Sequence, residues 1–237
     1  MIVKQIIRKL INLLRIDIVR YPSRDLRRRI SLLQHFGITT ILDVGANQGQ
    51  YARLSRTIGF KGALFSFEPL TTAFTILQKR AKSDKNWHTY NFALGNKKET
   101  VIINISNNLY SSSILDITTT HLDGAPESVY QDKEEISVET LDTVFPTLNI
   151  QPETCFLKID VQGYERNVLE GAKTTLQKLK GVQIEMSLQE LYKGEMLFQE
   201  MISYLEALGF KLYSLENGFY NKETGQLLQA DGIFFRD

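Results

Sequence analysis

The amino-acid sequence predicts an α/β fold built around a mostly parallel β-sheet. Short runs of apolar and β-branched residues alternate with longer segments in which apolar residues recur at helical spacing. Glycine, proline and polar residues separate the two kinds of segment, and no internal repeat or low-complexity block is present. We therefore expect one α/β domain at residues 37–237, preceded by a basic helical extension at residues 1–36.

The first two predicted elements are helices. Residues 1–15 carry apolar side chains at helical spacing with lysine and arginine between them, which is typical of a basic amphipathic helix. The run YPSRDLRRRISLLQHFG predicts a second helix, with Ser23 as its N-cap and Gly37 at its end.

Strands and helices then alternate. The predicted strands are TTILDV, GALFSFEP, WHTYNFAL, ETVIINIS, EEISVETLDTVF (with a short helix), TCFLKIDV, VQIEMS, FKLYSLENG and QLLQADGIFFRD. The predicted helices are residues 48–58, LTTAFTILQKRAK, GYERNVLEGAKTTLQKLKG and one or two in LQELYKGEMLFQEMISYLEALG. Residues 106–133, rich in polar residues, are expected to form an irregular surface excursion that is mobile without ligand and exposes His121.

The composition is that of an ordinary globular protein, with 43% hydrophobic and 23% charged residues. The single cysteine, Cys155, rules out an internal disulfide framework and fits a reducing compartment. No apolar run approaches the roughly 18 residues that a membrane-spanning helix needs. We expect a cytoplasmic protein, with peripheral contact to the inner face of the membrane as a further expectation.

The net charge of +1 is unevenly distributed. Residues 1–36 carry a net charge of +7, so the rest of the chain carries −6. The basic residues can form a solvated helical face and pair with the acidic body, or they can contact a membrane surface or an acidic substrate. An amphipathic helix of this kind can also pack on its own domain or on a second copy in a homo-oligomer. We expect no nucleic-acid partner.

The loop after the first strand, in ILDVGANQGQY, predicts a ligand site. A dinucleotide loop needs glycine where Asn47 stands, because backbone must approach a pyrophosphate there. Asp43 adds negative charge before Gly45, which also disfavours a phosphate. A zwitterion such as S-adenosylmethionine fits better, with its carboxylate at the N-terminus of helix 48–58, its ammonium near Asp43, and close backbone approach at Gly45 and Gly49. A plain strand-to-helix turn is the alternative.

The ends of the next two strands extend this interpretation. Glu68 ends the second strand, where an acidic residue commonly accepts hydrogen bonds from both ribose hydroxyls. Asn91 and Ala93 end the third strand, where an adenine edge would lie. Asn91 either binds the base or caps the strand.

Three acidic residues are candidates for the chemistry. Asp160 ends the strand in LKIDVQGYE, Glu165 lies in the first turn of the next helix, and Glu185 ends the following strand. A carboxylate within hydrogen-bonding reach of a hydroxyl can remove its proton during methyl transfer. Alternatively, Asp160 caps the helix and Glu185 pairs with a lysine. We predict no metal, because no spacing demands one and the three histidines form no zinc pattern: His35, His88 and His121.

The chain resembles the FkbM-type methyltransferases, a branch of the S-adenosylmethionine-dependent Rossmann-like enzymes. The matching segments are ILDVGANQGQY, FSFEP, NFALGN, SSS, ETLDTVF, LKIDVQGYERNVLEGA, IEMSLQELY and ADGIFF, in the family's order. The resemblance implies a class I methyltransferase fold with a seven-stranded sheet whose last strand, in QADGIFFR, is antiparallel. It also implies O-methylation of sugars or macrocyclic natural products. It assigns the cofactor to Asp43, Gly45, Asn47, Gly49 and Glu68, and places Asp160 and Glu185 at the site.

The leading hypothesis is an O-methyltransferase acting on a sugar hydroxyl in a surface glycan or its lipid-linked precursor. The alternatives are methylation of a soluble natural product such as a polyketide, a nicotinamide-dependent oxidoreductase, and a binding protein without turnover. We expect residues 106–133 and 187–199 to build the acceptor pocket, with five candidate lining residues: Tyr110, Ser111, Ser112, Tyr130 and Tyr192.

Overall fold

The structure is a computed structural model that describes residues 21–236. The helix predicted at residues 1–15 lies outside the described residues. Within them, no helix combines the length and the apolar character needed to cross a membrane.

The described residues form ten strands and eight α-helices. The strands are β1 (Thr40–Val44), β2 (Ala63–Phe67), β3 (Trp87–Tyr90), β4 (Ala93–Leu94), β5 (Glu99–Ser106), β6 (Tyr130–Glu139), β7 (Cys155–Ile159), β8 (Gly181–Ser187), β9 (Lys211–Asn217) and β10 (Gln229–Phe235). The helices are α1 (Arg24–His35), α2 (Gln50–Thr57), α3 (Thr71–Ala81), α4 (Thr119–Gly124), α5 (Leu141–Val144), α6 (Glu165–Glu170), α7 (Lys173–Leu176) and α8 (Phe198–Ala207).

The central sheet has seven strands in the order β3-β2-β1-β7-β8-β10-β9. The pairs among β3, β2, β1, β7 and β8 are parallel, whereas β10 is antiparallel to both β8 and β9. The order reverses direction between β1 and β7, which creates a crevice at the carboxyl ends of these two strands. The predicted fold class, with its antiparallel last strand, is confirmed.

A second sheet of three strands, in the order β4-β6-β5, lies outside the sequence prediction. The run WHTYNFAL, predicted as one strand, ends its pairing with β2 at Tyr90 and then joins β6 through Ala93 and Leu94. The prediction of a single strand is wrong here, because the second half finds its hydrogen-bond partners in a different sheet.

The core lies on both faces of the central sheet. Along β1, Ile41 belongs to one buried apolar cluster, whereas Leu42 and Val44 belong to the other. This division follows from the alternation of side chains along a strand. Cys155, at the start of β7, is fully buried in the larger cluster.

Helix α1 packs on this core and is not detached from it. Ser23 caps the helix as predicted, its side chain accepting a hydrogen bond from the Leu26 N–H at 3.2 Å. Leu33 is only 1% exposed, and Arg29 forms a buried ion pair with Glu216 of β9. The division at residue 36 stays a prediction, but residues 24–35 share the core of the α/β domain.

The excursion between β5 and β6 is more ordered in its packing than the sequence suggests. His121, in α4, is 3% exposed, so the prediction of a solvent-exposed loop histidine is wrong. Its ring lies 5.1 Å from the Tyr192 ring and 5.3 Å from the Phe219 ring, and its Nε2 is 3.2 Å from Ser128 Oγ. Two aromatic residues from distant parts of the chain bury it, which a local sequence pattern does not reveal.

Candidate active site

A cavity of about 270 Å³ lies beyond the carboxyl ends of β1, β2 and β7. Six of the sequence-predicted site residues line it: Gly45, Asn47, Glu68, Ala93, Asp160 and Glu185. The other four do not form its wall: Asp43, Gly49, Asn91 and Glu165. The cavity occupies the crevice at which open α/β sheets bind ligands.

The glycine loop after β1 packs directly on the chain that follows β7. Gly45 has a φ of 73°, and a Cβ at this position would lie 1.8 Å from the carbonyl oxygen of Asp160. Gly49 has a φ of 84°, and its Cβ would lie 2.7 Å from the Trp87 ring. Gly45 is therefore needed at the cavity wall, whereas Gly49 is needed for packing behind it.

Asn47 connects three parts of the site. Its backbone N–H donates to Glu68 Oε2 at 2.7 Å, and its side-chain Oδ1 accepts from the Gln48 N–H at 2.7 Å. Its Nδ2 donates to the carbonyl oxygen of Leu109, in the excursion, at 3.1 Å. Its φ of 46° is one that asparagine tolerates better than most residues. Asparagine thus gives this loop a side-chain link that glycine would lack.

Glu68 is a buried carboxylate at the cavity wall, with 5% of its surface exposed. Its Oε1 accepts from the Leu70 N–H at 2.9 Å, while Oε2 accepts from Asn47. Burial raises the pKa of Glu68 to about 7, although the two backbone hydrogen bonds oppose the change. Each carboxylate oxygen can accept a further hydrogen bond, so Glu68 can still bind two hydroxyl groups.

Asn91 acts on the backbone next to Glu68. Its Nδ2 donates to the carbonyl oxygens of Glu68 at 3.0 Å and Pro69 at 2.9 Å. These contacts match the interpretation of Asn91 as a cap of the strand end.

Asp43 lies beneath the glycine loop and is fully buried. Its Oδ1 is 3.2 Å from the ammonium nitrogen of Lys158, and its Oδ2 accepts from Ser66 Oγ at 3.3 Å. Lys158 also lies 3.4 Å from Asp160 Oδ2. Asp43 thus contributes to the site through Lys158 and does not reach the cavity itself.

Asp160 and Glu185 converge at the cavity wall, as predicted. The Nε2 of Gln162 donates to Asp160 Oδ1 at 2.8 Å and to Glu185 Oε2 at 2.9 Å. Gln229 Nε2 also donates to Glu185 Oε2 at 2.9 Å. Burial, and next the charge of Asp160, raise the pKa of Glu185 well above its ordinary value. Two carboxylates held this closely suit proton transfer.

Glu165 is buried behind this pair. Its Oε1 accepts from the N–H groups of Val161 at 2.9 Å and Gly163 at 3.3 Å. Burial raises the pKa of Glu165 to about 7. Glu165 therefore holds the loop of residues 161–163 in place and does not itself line the cavity.

Comparison with known proteins identifies the family. The model of the methyltransferase FkbM domain matches residues 43–212 of the chain. The chain belongs to the FkbM methyltransferase family.

Similarities to individual proteins are more distant. The chain is 27% identical over 203 residues to the 2-O-methyltransferase NoeI of Sinorhizobium fredii, covering 79% of this chain and 80% of NoeI. An uncharacterised protein from Listeria monocytogenes has a similar structure, with a TM-score of 0.50, 9% identity, and coverage of 91% of this chain and 68% of that chain. The second similarity shows the fold alone.

Membership of the FkbM family decides the enzyme class. The chain is a methyltransferase and not the nicotinamide-dependent oxidoreductase that was one of the alternatives. Within residues 21–236, no group of three or more histidine, cysteine, aspartate or glutamate side chains is arranged to hold a metal ion.

The sequence analysis did not predict two residues that contact the carboxylates of this FkbM methyltransferase site, Lys158 and Gln162. A lysine in the middle of the buried run TCFLKIDV is a usable signal, because a buried ammonium group needs a carboxylate partner. Gln162 gives no comparable signal, since its side-chain contacts other than the one with Asp160 come from distant segments.

The lining of the cavity differs from the predicted acceptor pocket. Tyr110 and Ser112 line it, whereas Ser111, Tyr130 and Tyr192 do not. Among the described residues that form the wall, none comes from residues 187–199. Tyr192 is instead fully buried, and its hydroxyl contacts Gln162.

Proposed function

We propose that this FkbM methyltransferase uses S-adenosylmethionine to methylate a hydroxyl group of a sugar, in a surface glycan or its lipid-linked precursor. The observation that carries the proposal is that one cavity joins the buried carboxylate of Glu68 to the carboxylate pair of Asp160 and Glu185. The relative named as a 2-O-methyltransferase supports transfer to oxygen.

The cavity fits the nucleoside part of this cofactor. Glu68 is buried, and its remaining acceptor capacity suits two neighbouring ribose hydroxyls. Gly45 and Asn47 present loop backbone to the same cavity, and Ala93 offers a small apolar surface for a base. When bound, S-adenosylmethionine supplies an electrophilic methyl group.

Asp160 is the proposed general base. Its side chain is 37% exposed, so an acceptor hydroxyl can reach the carboxylate. The hydroxyl proton would pass to this carboxylate as the oxygen bonds to the methyl carbon and the bond from that carbon to the donor sulfur breaks, which would release S-adenosylhomocysteine. Glu185, more deeply buried and with a raised pKa, is the second carboxylate that can hold the proton.

A sugar fits the mixed character of the wall. Tyr110 is 61% exposed and presents an aromatic face against which the C–H groups of a sugar ring can pack. Ser112 and the carboxylates supply hydrogen-bonding groups for hydroxyls. A soluble polyketide is the competing acceptor, and screening both classes with radiolabelled methyl donor separates them.

Replacement of Asp160 tests the proposal. Asp160→Asn should bind S-adenosylhomocysteine like the wild type in calorimetry, because Glu68 and the loop are unchanged. Methyl transfer to an acceptor found by labelling cell extracts should fall by about 10² to 10⁴-fold, the usual contribution of a general base.

The control is Glu170→Gln, which removes a carboxylate that pairs with Arg166 away from the cavity. It should keep both binding and turnover. Wild-type turnover in Asp160→Asn would remove Asp160 as the base, and binding of NAD in place of S-adenosylhomocysteine would overturn the cofactor proposal.

We further propose that the basic N-terminal segment meets anionic lipid on the inner face of the membrane, where a lipid-linked acceptor would lie. The protein would then be cytoplasmic and peripheral to the membrane. Packing of the same segment on a second copy, in a homo-oligomer, is the competing role.

A further inference from the structure

Gln162 has a backbone conformation that only strong contacts retain. Its φ is 56°, in the left-handed region that a residue with a long side chain rarely adopts. Its carbonyl oxygen accepts from Ser113 Oγ at 2.6 Å, and Glu165 accepts from the N–H groups on either side of it. The fold therefore fixes this residue from both the excursion and α6.

The side-chain amide of Gln162 has a defined orientation. The Tyr192 hydroxyl donates to Gln162 Oε1 at 2.7 Å, so Nε2 points toward Asp160 and Glu185. The reversed amide would place its oxygen against two carboxylates, which is electrostatically unfavourable. Tyr192, on the chain after β8, is fully buried between the excursion and the segment that joins β9 to β10, so its hydroxyl is fixed as well.

One amide nitrogen thus lies between two groups that would otherwise repel each other. It supplies an N–H to each carboxylate, and these hydrogen bonds offset part of the repulsion. We propose that Gln162 is the positioning residue that holds the Asp160 and Glu185 carboxylates side by side, and that Tyr192 sets the orientation of its amide. A contribution of this role to catalysis rests on the proposed function. The hydrogen bonds of Gln162 do not depend on that proposal.

The pKa of the Glu185 carboxyl group should depend on this role of Gln162, so it can be used to test it. From the chain around β7, Asp160 raises the pKa of Glu185 and Lys158 lowers it, while Asp231 on β10 and Glu165 on α6 also raise it. The amide N–H groups of Gln162 and Gln229 favour the ionised form. Loss of the Gln162 amide removes one of these donors, so Glu185 should hold its proton to higher pH.

The experiment is a pH titration of the Glu185 carboxyl group by ¹³C NMR, in protein labelled at the glutamate carboxyl carbon. The Glu185→Gln variant assigns the signal. Gln162→Met keeps the length of the side chain and removes the amide, and should move the Glu185 transition upward by about one pH unit. Tyr192→Phe frees the amide to turn and should move it in the same direction by less.

The matched control is Gln78→Met, on the exposed side of α3, which should leave the transition unchanged. Tyr192→Phe keeps the buried ring, so it decides the question if Gln162→Met fails to fold. An unchanged Glu185 transition in the variants that fold would overturn the proposal. Calorimetry of the wild type with S-adenosylhomocysteine is run in parallel, because absence of that binding would overturn the proposed function while the titration still decides the role of Gln162.

Discussion

At the scale of single residues, Lys158 shows how the site holds its negative charges. Its ammonium nitrogen lies 3.2 Å from Asp43 Oδ1, 3.4 Å from Asp160 Oδ2 and 3.3 Å from the Gly45 carbonyl oxygen. Burial alone would lower the pKa of Lys158, but Asp160 and Asp43 raise it above its ordinary value. The lysine therefore stays charged, and it allows an aspartate to be fully buried beneath the glycine loop.

His121 makes a pH-dependent contribution to stability. Burial lowers its pKa to about 4, from 6.5 in an unfolded chain. Between these pH values the unfolded state binds more protons, so the free energy of unfolding falls as the pH falls through this range. Relative to His121→Gln, wild-type stability should fall by about 1.4 kcal/mol per pH unit within it.

Urea unfolding of both proteins from pH 8 to pH 4.5 measures this difference. Glu68, Glu165 and Asp231 have raised pKa values, so each adds stability as the pH falls through its own range. Their effect is common to both proteins and cancels in the comparison. Parallel stability curves would contradict the assignment to His121.

The residues at the ends of strands were predictable, because the carboxyl ends of parallel strands meet at one edge of the sheet. From this rule we expected Glu68, Asp160 and Glu185 at one site, and all three line the same cavity. The rule did not separate Asp160, which lines the cavity, from Asp43, whose side chain is fully buried against Lys158. That distinction depends on Lys158, which approaches from the neighbouring strand.

At the scale of elements, α1 is part of the body on which the site is built. Leu33→Ala removes a buried side chain from the cluster that also contains Ile41 and Phe235, and should lower the free energy of unfolding by about 2–5 kcal/mol. Gln34→Ala, at the next and exposed position, should change it by less than about 0.5 kcal/mol. Equal midpoints for the two variants in urea would show that α1 does not contribute to the cooperative core.

The elements that the sequence did not predict are those decided by distant contacts. The two-residue strand β4 exists because Ala93 and Leu94 pair with Val138 and Glu139. The helix predicted for GYERNVLEGAKTTLQKLKG divides at Gly171, where a Cβ would lie 1.8 Å from the Gly95 carbonyl oxygen. The spacing of apolar residues along the chain reveals neither of these contacts. It does reveal the helices and the strands of the central sheet, because each of them has a periodic pattern of its own.

At the scale of the whole molecule, a deletion of residues 1–20 tests the proposed contact with the membrane. The deletion stops before α1, because α1 belongs to the core. This deletion removes a net charge of +4 and the amphipathic run. It should abolish co-sedimentation with vesicles that contain anionic lipid and leave S-adenosylhomocysteine affinity unchanged. Vesicles of neutral lipid are the control, and a truncated protein that still sediments with anionic vesicles would refute the proposal.

The burial of the single cysteine in this core makes its thiol a probe of unfolding. The chain has one cysteine, and that thiol is fully buried where β7 begins, its pKa raised to about 12 by burial. A thiol reagent needs both access and the thiolate, so modification requires separation of the central strands. With a reagent that reacts faster than the chain closes again, the loss of free thiol over time therefore measures the rate of unfolding. A cysteine introduced on the surface can carry a probe without competition from the native one.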